Sequence, residues 1–230
     1  MTLEEFKQHN NIRFNKKELL EQAFIHRSYI NENPRSGLEH NERLEFLGDA
    51  VLELVVTEHL YTAYPHHNEG DLTSYRSALV NAVTLGSVAE GLSFNDMLKL
   101  SKGEAKDISR ARSSILADAY AAFIGALYLD QGYTSVKEFI TKTLLIKTDE
   151  IIKQGLYKDA KSFVQEKSQE LYGITPAYRV LHEEGPDHDK IFRVGIFFAD
   201  EMIAEGEGKS KQEAETGAAR NALQKKGWVS

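Results

Sequence analysis

The feature that most constrains the fold is a change in hydrophobic periodicity near residue 154. Before that point apolar residues recur every three or four positions, as on one face of an α-helix, and no segment alternates as a strand does. After it, three short segments rich in β-branched and aromatic residues are separated by turn-forming sequences. The sequence therefore predicts an all-α domain followed by an α+β domain.

The helical period and the turn signals set the expected elements of both domains. In the first domain, helices are predicted at residues 16–26, 41–61, 71–90, 112–129 and 134–153. The helix at 112–129 is apolar nearly all round, which predicts that it is buried. In the second domain, the predicted order is a helix at 160–172, strands at 178–182, 191–198 and 202–207, and a helix at 212–226.

The short connections between these strands predict an antiparallel sheet with both helices on one face. The predicted domain bounds are 1–153 and 159–228, joined by a short linker at 154–158.

Composition limits the classes of protein to which this chain can belong. Hydrophobic residues make up 41% of the chain, which is enough for a core. The chain has no cysteine, so a metal site would need oxygen or imidazole ligands. The net charge of −7 means that any surface for nucleic acid must be a local basic patch. No apolar run is long enough to span a bilayer, and a cytoplasmic protein without membrane partners is expected.

Three acidic residues carry the first candidate chemistry. Glu42, Glu45 and Asp49 are spaced at i, i+3 and i+7, so they share one helix face. Like charges there repel, and a divalent cation such as Mg²⁺ or Mn²⁺ would reverse the sign of that interaction. On spacing alone, a solvated acidic face accounts for the pattern better. Gly48 lies within the same helix, which predicts close approach of another helix or of a substrate backbone.

A further acid, Asp118, is the only charged residue within the apolar run 115–129. A buried carboxylate needs a partner, because an unpaired charge is costly away from water. That partner is either an arginine, such as Arg43 or Arg76, or a metal ion shared with Glu45 and Asp49. Spacing leaves both readings open.

Two segments of this chain resemble the active-site helices of ribonuclease III. Residues 41–54, NERLEFLGDAVLEL, resemble the family's signature helix, and residues 115–130, ILADAYAAFIGALYLD, resemble its second active-site helix. The C-terminal third, with GPDH at 185–188 and GKSKQEAE at 208–215, resembles its double-stranded-RNA-binding domain. The resemblance implies an all-α endonuclease domain followed by an α-β-β-β-α RNA-binding domain.

The resemblance also implies an activity: a homodimer that cuts double-stranded RNA, such as ribosomal and messenger precursors, leaving 5′-phosphate and 3′-hydroxyl ends. Glu45, Asp49 and Asp118 match metal-binding carboxylates for Mg²⁺ or Mn²⁺. Asp49 and Glu42 match catalytic positions, and Glu69 is a weaker match to a further acid.

One position departs from the family pattern. Three residues after Asp118 the family has a glutamate that binds metal and is essential for cleavage, and this chain has Ala121. The hypothesis is an isolated substitution in an otherwise intact nuclease, which binds its substrate but cleaves slowly or not at all. The alternative is a noncatalytic double-stranded-RNA-binding dimer that keeps the nuclease fold.

The resemblance assigns three groups of RNA contacts in the second domain. The first helix would enter one minor groove, the turn after the first strand would enter a second, and the start of the last helix would hold phosphates. In that order the residues are Ser162, Gln165 and Glu166; Pro186 and His188; and Lys209, Ser210 and Lys211. For the first two groups, a polar helix face and a solvated loop are the alternatives. The third has its own physical basis, because a helix N-terminus with two lysines favours phosphate.

A basic segment precedes the second acidic helix. Lys106, Arg110 and Arg112 would either guide RNA phosphates toward the carboxylates or form a solvated basic loop, and the sequence favours neither.

Overall fold

The computed structural model describes residues 1–106, 110–153, 160–186 and 190–228, with only the backbone described at 110 and 111. The chain divides into two compact units, Met1–Ile151 and Ile152–Ser230. The first is helical and the second combines helices with a three-stranded sheet, so the predicted fold class is confirmed. In the part of the chain that is described, no helix is long and apolar enough to cross a membrane.

The helical unit is built around two long helices, one of them broken once. Its helices are α1 (Leu3–His9), α2 (Lys17–Ala23), α3 (Arg27–Glu32), α4 (Glu42–Ala63), α5 (Glu69–Val80), α6 (Ala82–Gly91), α7 (Phe94–Met97), α8 (Arg110–Thr143) and α9 (Thr148–Lys153). The backbone of α8 leaves helical geometry at Gly132, where φ is 79° and ψ is −175°.

Helix α8 forms the centre of the core. Tyr120, Phe123 and Ile124 are fully buried on it, and it packs against α2, α4 and α6. Phe123 meets the ring of Phe6 from α1 edge-on, with ring centroids 5.4 Å apart. The prediction that residues 112–129 are buried is therefore confirmed from Ile115 to Leu127, where only Asp118 is partly exposed, whereas Ser114, Tyr128 and Leu129 are exposed.

Several helix boundaries differ from the sequence prediction. The single helix predicted at 71–90 is two helices, because Asn81 is extended and its side chain accepts the Thr84 N–H to start α6. The helix predicted at 134–153 ends at Thr143, and a separate helix, α9, follows. Three short helices, α1, α3 and α7, were not predicted, since each has too few turns to show a period.

The second unit has the order α10 (Ala160–Tyr172), β1 (Ala177–Glu184), β2 (Ile191–Phe198), β3 (Glu201–Gly208) and α11 (Lys211–Lys225). The sheet is antiparallel with strand order β1-β2-β3. Phe163 and Val164 of α10 and Leu223 of α11 share one core with Ile196 and Ile203 of the sheet. Both helices therefore cover the same face of the sheet, as predicted.

Candidate functional site

The backbones of α4 and α8 touch where two glycines cross. A Cβ atom on Gly48 would lie 1.7 Å from the carbonyl oxygen of Ala121, and one on Gly125 would lie 2.1 Å from that of Leu44. Only glycine permits such an approach. The close contact predicted at Gly48 is therefore confirmed, and the approaching element is a helix. The crossing also brings the acidic face of α4 beside Asp118 of α8.

The carboxyl groups at this crossing, Glu42, Glu45, Asp49 and Asp118, are called the acidic cluster here. Burial, followed by the charges of Asp118, Asp49 and Glu42, raises the pKa of Glu45 to about 7. Burial, followed by the charges of Asp49 and Glu42, also raises the pKa of Asp118. Burial and the charge of Glu53 raise the pKa of Asp49. These mutual effects place the four carboxyls close enough to act on one another.

Asp118 has no arginine partner among residues 1–106, 112–153, 160–186 and 190–228, the side chains that the structure describes. The guanidinium of Arg76, one of the two arginines considered from sequence, instead donates to the Thr57 hydroxyl at 3.1 Å. The other, Arg43, is exposed. Asp118 is therefore not paired with Arg43 or Arg76 in the structure. The other hypothesis, a cation shared with Glu45 and Asp49, is supported by the carboxyls that face Asp118.

Glu42 differs from the other three members of the cluster because an arginine side chain pairs with it. Its carboxylate lies 3.2 Å from Nη1 of Arg27 and 3.7 Å from Nδ1 of His40. Arg27 and His40 lie 15 and two residues away along the chain, and sequence reasoning missed both. Glu42 is therefore held at the edge of the cluster by an ion pair, whereas Glu45, Asp49 and Asp118 face like charge.

The cluster fits a hydrated hard cation better than a fully protein-ligated one. Among the described residues, no three His, Asp or Glu side chains converge closely enough to hold a metal by themselves. All donors in the cluster are carboxylate oxygens, which suit Mg²⁺, and Mg²⁺ usually keeps several waters. Burial first, and then the neighbouring negative charges, raise the pKa values of Glu45 and Asp118, and a bound cation would offset this cost of ionising them.

Position 121 lies inside the crossing. Ala121 is 2% exposed, and it follows Asp118 by three residues on the same face of an uninterrupted stretch of α8. Its carbonyl is the group that Gly48 contacts. The cluster therefore has a methyl group at the place where a longer acidic side chain would extend it.

The raised pKa of Glu45 predicts a pH-dependent stability in the absence of metal. Because its folded pKa, about 7, is above the value of 4.5 for the free side chain, the stabilisation is complete below pH 4.5 and is lost as the pH rises through 7. Allowing for solvent screening, about 1–2 kcal/mol of unfolding free energy is involved. The unfolding free energy of Glu45→Gln, relative to that of the parent, should therefore increase by about 1–2 kcal/mol between pH 5 and pH 8. Urea unfolding in EDTA measures it, and a pH-independent difference would contradict the crowded cluster.

Three of the residues predicted to contact RNA are exposed together on α10. Ser162, Gln165 and Glu166 face solvent beside the buried pair Phe163 and Val164. Pro186 is exposed in the turn after β1. The other residue predicted in that turn, His188, lies outside the described residues.

At the start of α11 the backbone groups are already engaged. The Ser210 hydroxyl accepts the N–H of Glu213 at 3.1 Å, and the Glu213 carboxylate accepts the N–H of Lys209 at 2.9 Å. Nζ of Lys211 lies 3.1 Å from Glu183 of β1. The Ser-x-x-Glu spacing is a capping signal that can be read from the sequence. A phosphate at this helix end would therefore compete with Glu183 for the ammonium of Lys211.

Glu69 and the basic segment are the remaining candidates from the sequence. Glu69 is exposed at the first residue of α5, and its carboxylate accepts the Thr73 hydroxyl at 3.0 Å. In the basic segment, Lys106 is exposed, whereas Arg112 is partly buried, so Arg112 is not a solvated loop residue. The Arg110 side chain lies outside the described residues.

The crossing of α4 and α8 with its acidic cluster, followed by the α-β-β-β-α unit, matches the arrangement expected from the two ribonuclease III-like segments. The family profile described as ribonuclease-III-like matches residues 16–148, more than half of the chain. The chain belongs to the ribonuclease III family. A second profile, the double-stranded RNA binding motif, matches residues 160–226.

Relatives of similar length support this membership of the ribonuclease III family. Ribonuclease 3 of Borreliella afzelii is 42% identical over 96% of this chain and 90% of its own length. Ribonuclease 3 of Streptococcus pneumoniae is 44% identical over 95% of this chain and 94% of its own. Among solved structures, the nuclease domain of ribonuclease III from Campylobacter jejuni is 37% identical and covers 64% of this chain and 95% of its own, with a TM-score of 0.56.

Proposed function

We propose that this ribonuclease III-family chain is a cytoplasmic, metal-dependent endoribonuclease for double-stranded RNA, such as ribosomal and messenger precursors, and that Ala121 impairs its cleavage step. The observation that carries the proposal is the glycine crossing, which brings the acidic face of α4, with Glu45 and Asp49, beside Asp118 of α8. The double-stranded RNA binding motif at residues 160–226 supports the substrate class.

In the proposed reaction, Glu45, Asp49 and Asp118 would hold Mg²⁺ or Mn²⁺, and Glu42 would remain at the edge with Arg27. The ion, when bound, would supply a water of lowered pKa and offset charge on the leaving oxygen. Because the pKa of Glu45 is about 7, its carboxyl would carry a proton in about half of the metal-free molecules at neutral pH and would lose it on cation binding. The family resemblance supports products with 5′-phosphate and 3′-hydroxyl ends.

The methyl of Ala121 supports a slow cleavage step, because it cannot hold a metal or a water where the family has a carboxylate. It also supports the second candidate function, a noncatalytic double-stranded-RNA-binding dimer. The two differ in whether a carboxylate at position 121 is enough to produce cleavage.

For RNA binding, we propose two minor-groove contacts separated by about one turn, as in domains of this type, which span about 16 bp. Ser162, Gln165 and Glu166 would meet 2′-hydroxyls of the first groove. Pro186 and His188 would meet the second. Lys209 and Lys211 would meet the phosphates between them, with Ser210 acting as the helix cap that positions both lysines.

The RNA-binding proposal predicts a salt-dependent affinity for duplex RNA. Each phosphate neutralised by lysine releases counterions, so the logarithm of the affinity should fall linearly with the logarithm of salt concentration. Lys211→Gln should reduce the size of that slope by about 1. Binding of a 20-bp RNA duplex, measured by fluorescence anisotropy in EDTA at several salt concentrations, tests this. Equal affinity for single-stranded RNA, or an affinity insensitive to salt, would contradict the proposal.

We further propose that the homodimer forms through the face of α4 that carries Phe46. The Phe46 side chain is 83% exposed. It borders a pocket of about 640 Å³ whose apolar lining includes Leu19, Leu44, Leu47 and Leu129. An aromatic side chain beside an apolar pocket is self-complementary, as a two-fold interface requires. One of the Campylobacter jejuni nuclease-domain structures concerns a region involved in dimer formation, which supports this.

Phe46→Glu should therefore convert the protein to a monomer, raising the dimer dissociation constant at least about 100-fold, since burying the new charge is costly. Sedimentation velocity at several concentrations measures this. Val83→Glu is the matched control. Val83 is likewise an exposed apolar residue on a helix, with 67% of its surface accessible, but it does not line the pocket described above. A Phe46→Glu variant that stays dimeric would contradict the proposed interface.

A further inference from the structure

An ion pair in the RNA-binding unit joins two helices that carry different RNA contacts. Nζ of Lys161, on α10, lies 2.5 Å from a carboxylate oxygen of Glu215, on α11. Both side chains are mostly shielded, with exposures of 34% and 28%. The same ammonium lies 5.0 Å from the ring centroid of Tyr178, on β1. Three elements of this unit therefore meet at Lys161.

The pair lies between the two contact groups of the proposed RNA surface. Lys161 immediately precedes Ser162 on α10, and Glu215 follows Lys211 by four residues, about 6 Å along α11. A pocket of about 360 Å³ separates the helices here, and its lining includes Ser162, Gln165, Gln212 and Thr216 as well as Lys161. The ion pair is thus a polar link between α10 and α11 beside this pocket.

We propose that Lys161 and Glu215 form a brace that sets the spacing between the minor-groove contact of α10 and the phosphate contact of α11. Both are positioning residues, since they act through Ser162, Gln165 and Lys211 rather than on the RNA itself. A-form duplex presents its grooves and phosphates at fixed separations, so a contact surface of two helices binds best when their spacing is fixed before the RNA arrives. This inference rests on the RNA-binding function proposed above.

The brace and simple electrostatics predict opposite changes in RNA affinity for one substitution. Glu215→Gln removes a negative charge beside the RNA surface and frees the Lys161 ammonium. If charge alone matters, that substitution strengthens RNA binding. If the pair is a brace, the substitution weakens binding although the charge becomes more favourable. The sign of the change therefore separates a positioning role from a direct contact of Lys161 with phosphate.

The experiment measures binding of a 20-bp RNA duplex by the full chain in EDTA, with thermal melting of each variant alongside. The brace predicts that Glu215→Gln weakens binding at least about threefold while the melting temperature changes little. Glu170→Gln is the matched control, because Glu170 pairs at 2.7 Å with Lys167, a residue of the same helix. That control should leave binding unchanged or slightly tighter. Unchanged or tighter binding by Glu215→Gln would overturn the brace.

A charge exchange covers the case in which Glu215→Gln unfolds the unit. Lys161→Glu alone should weaken binding more than tenfold, and adding Glu215→Lys should restore it to within about threefold of the parent, because the pair is rebuilt in reverse. A double variant that melts like the parent but binds like Lys161→Glu would overturn the brace. Failure of the parent chain itself to bind duplex RNA would instead overturn the proposed function, so the two failures are distinguishable.

Discussion

Gly48→Ala is expected to destabilise the helical unit by about 3 kcal/mol or more, because overpacking a closed contact forces backbone shifts. The added Cβ would lie 1.7 Å from the Ala121 carbonyl oxygen, and neither group is the end of a flexible side chain. For a unit of this size the melting temperature should fall by about 6–12 °C. Calorimetry should show the loss in the transition of the helical unit and leave that of the RNA-binding unit unchanged.

Gly91→Ala is the control for helix propensity. Gly91 is the last residue of α6, and a Cβ atom there would meet nothing within 4 Å. This variant should melt within about 2 °C of the parent, since only the small propensity difference between the two residues remains. A Gly48→Ala variant that is as stable as Gly91→Ala would contradict the backbone contact between α4 and α8. It would then also remove the reason for placing Asp118 beside Glu45.

The parts of the site that sequence reasoning reached are those encoded within one helix. The shared face of Glu45 and Asp49 follows from the period of α4, and the isolation of Asp118 follows from the apolar residues around it. Gly48 signalled a close approach because glycine is costly within a helix. Each of these signals lies within a single helix, and for that reason each could be predicted.

What could not be predicted depends on contacts between distant residues. The Arg27–Glu42 pair joins two elements whose packing is set by the core, so no spacing rule reveals it. The break at Asn81 lies in a segment with a continuous helical period. It depends on the hydrogen bond that the Asn81 side chain accepts from the N–H of Thr84, which starts a new helix. The link between Lys161 and Glu215 spans 54 residues and appears only when α10 and α11 share a core.

Ala121→Glu is expected to raise the rate of duplex RNA cleavage in Mg²⁺ by roughly 10²-fold or more, the scale on which a single catalytic group acts. The new carboxylate would project from the same face of α8 as Asp118, toward Glu45 and Asp49. Ala121→Gln is the matched control, because glutamine has the same size and differs only in lacking the charge. Any rate change caused by overfilling the buried position should appear in both variants.

The most direct test of the account is therefore single-turnover cleavage of a labelled RNA duplex in Mg²⁺ by the parent, Ala121→Glu and Ala121→Gln, with EDTA as the blank. The account predicts cleavage by Ala121→Glu that depends on Mg²⁺, little or none by the parent and Ala121→Gln, and similar duplex affinity for all three. Equal cleavage rates for the parent and Ala121→Glu would contradict the claim that this acidic cluster lacks one carboxylate.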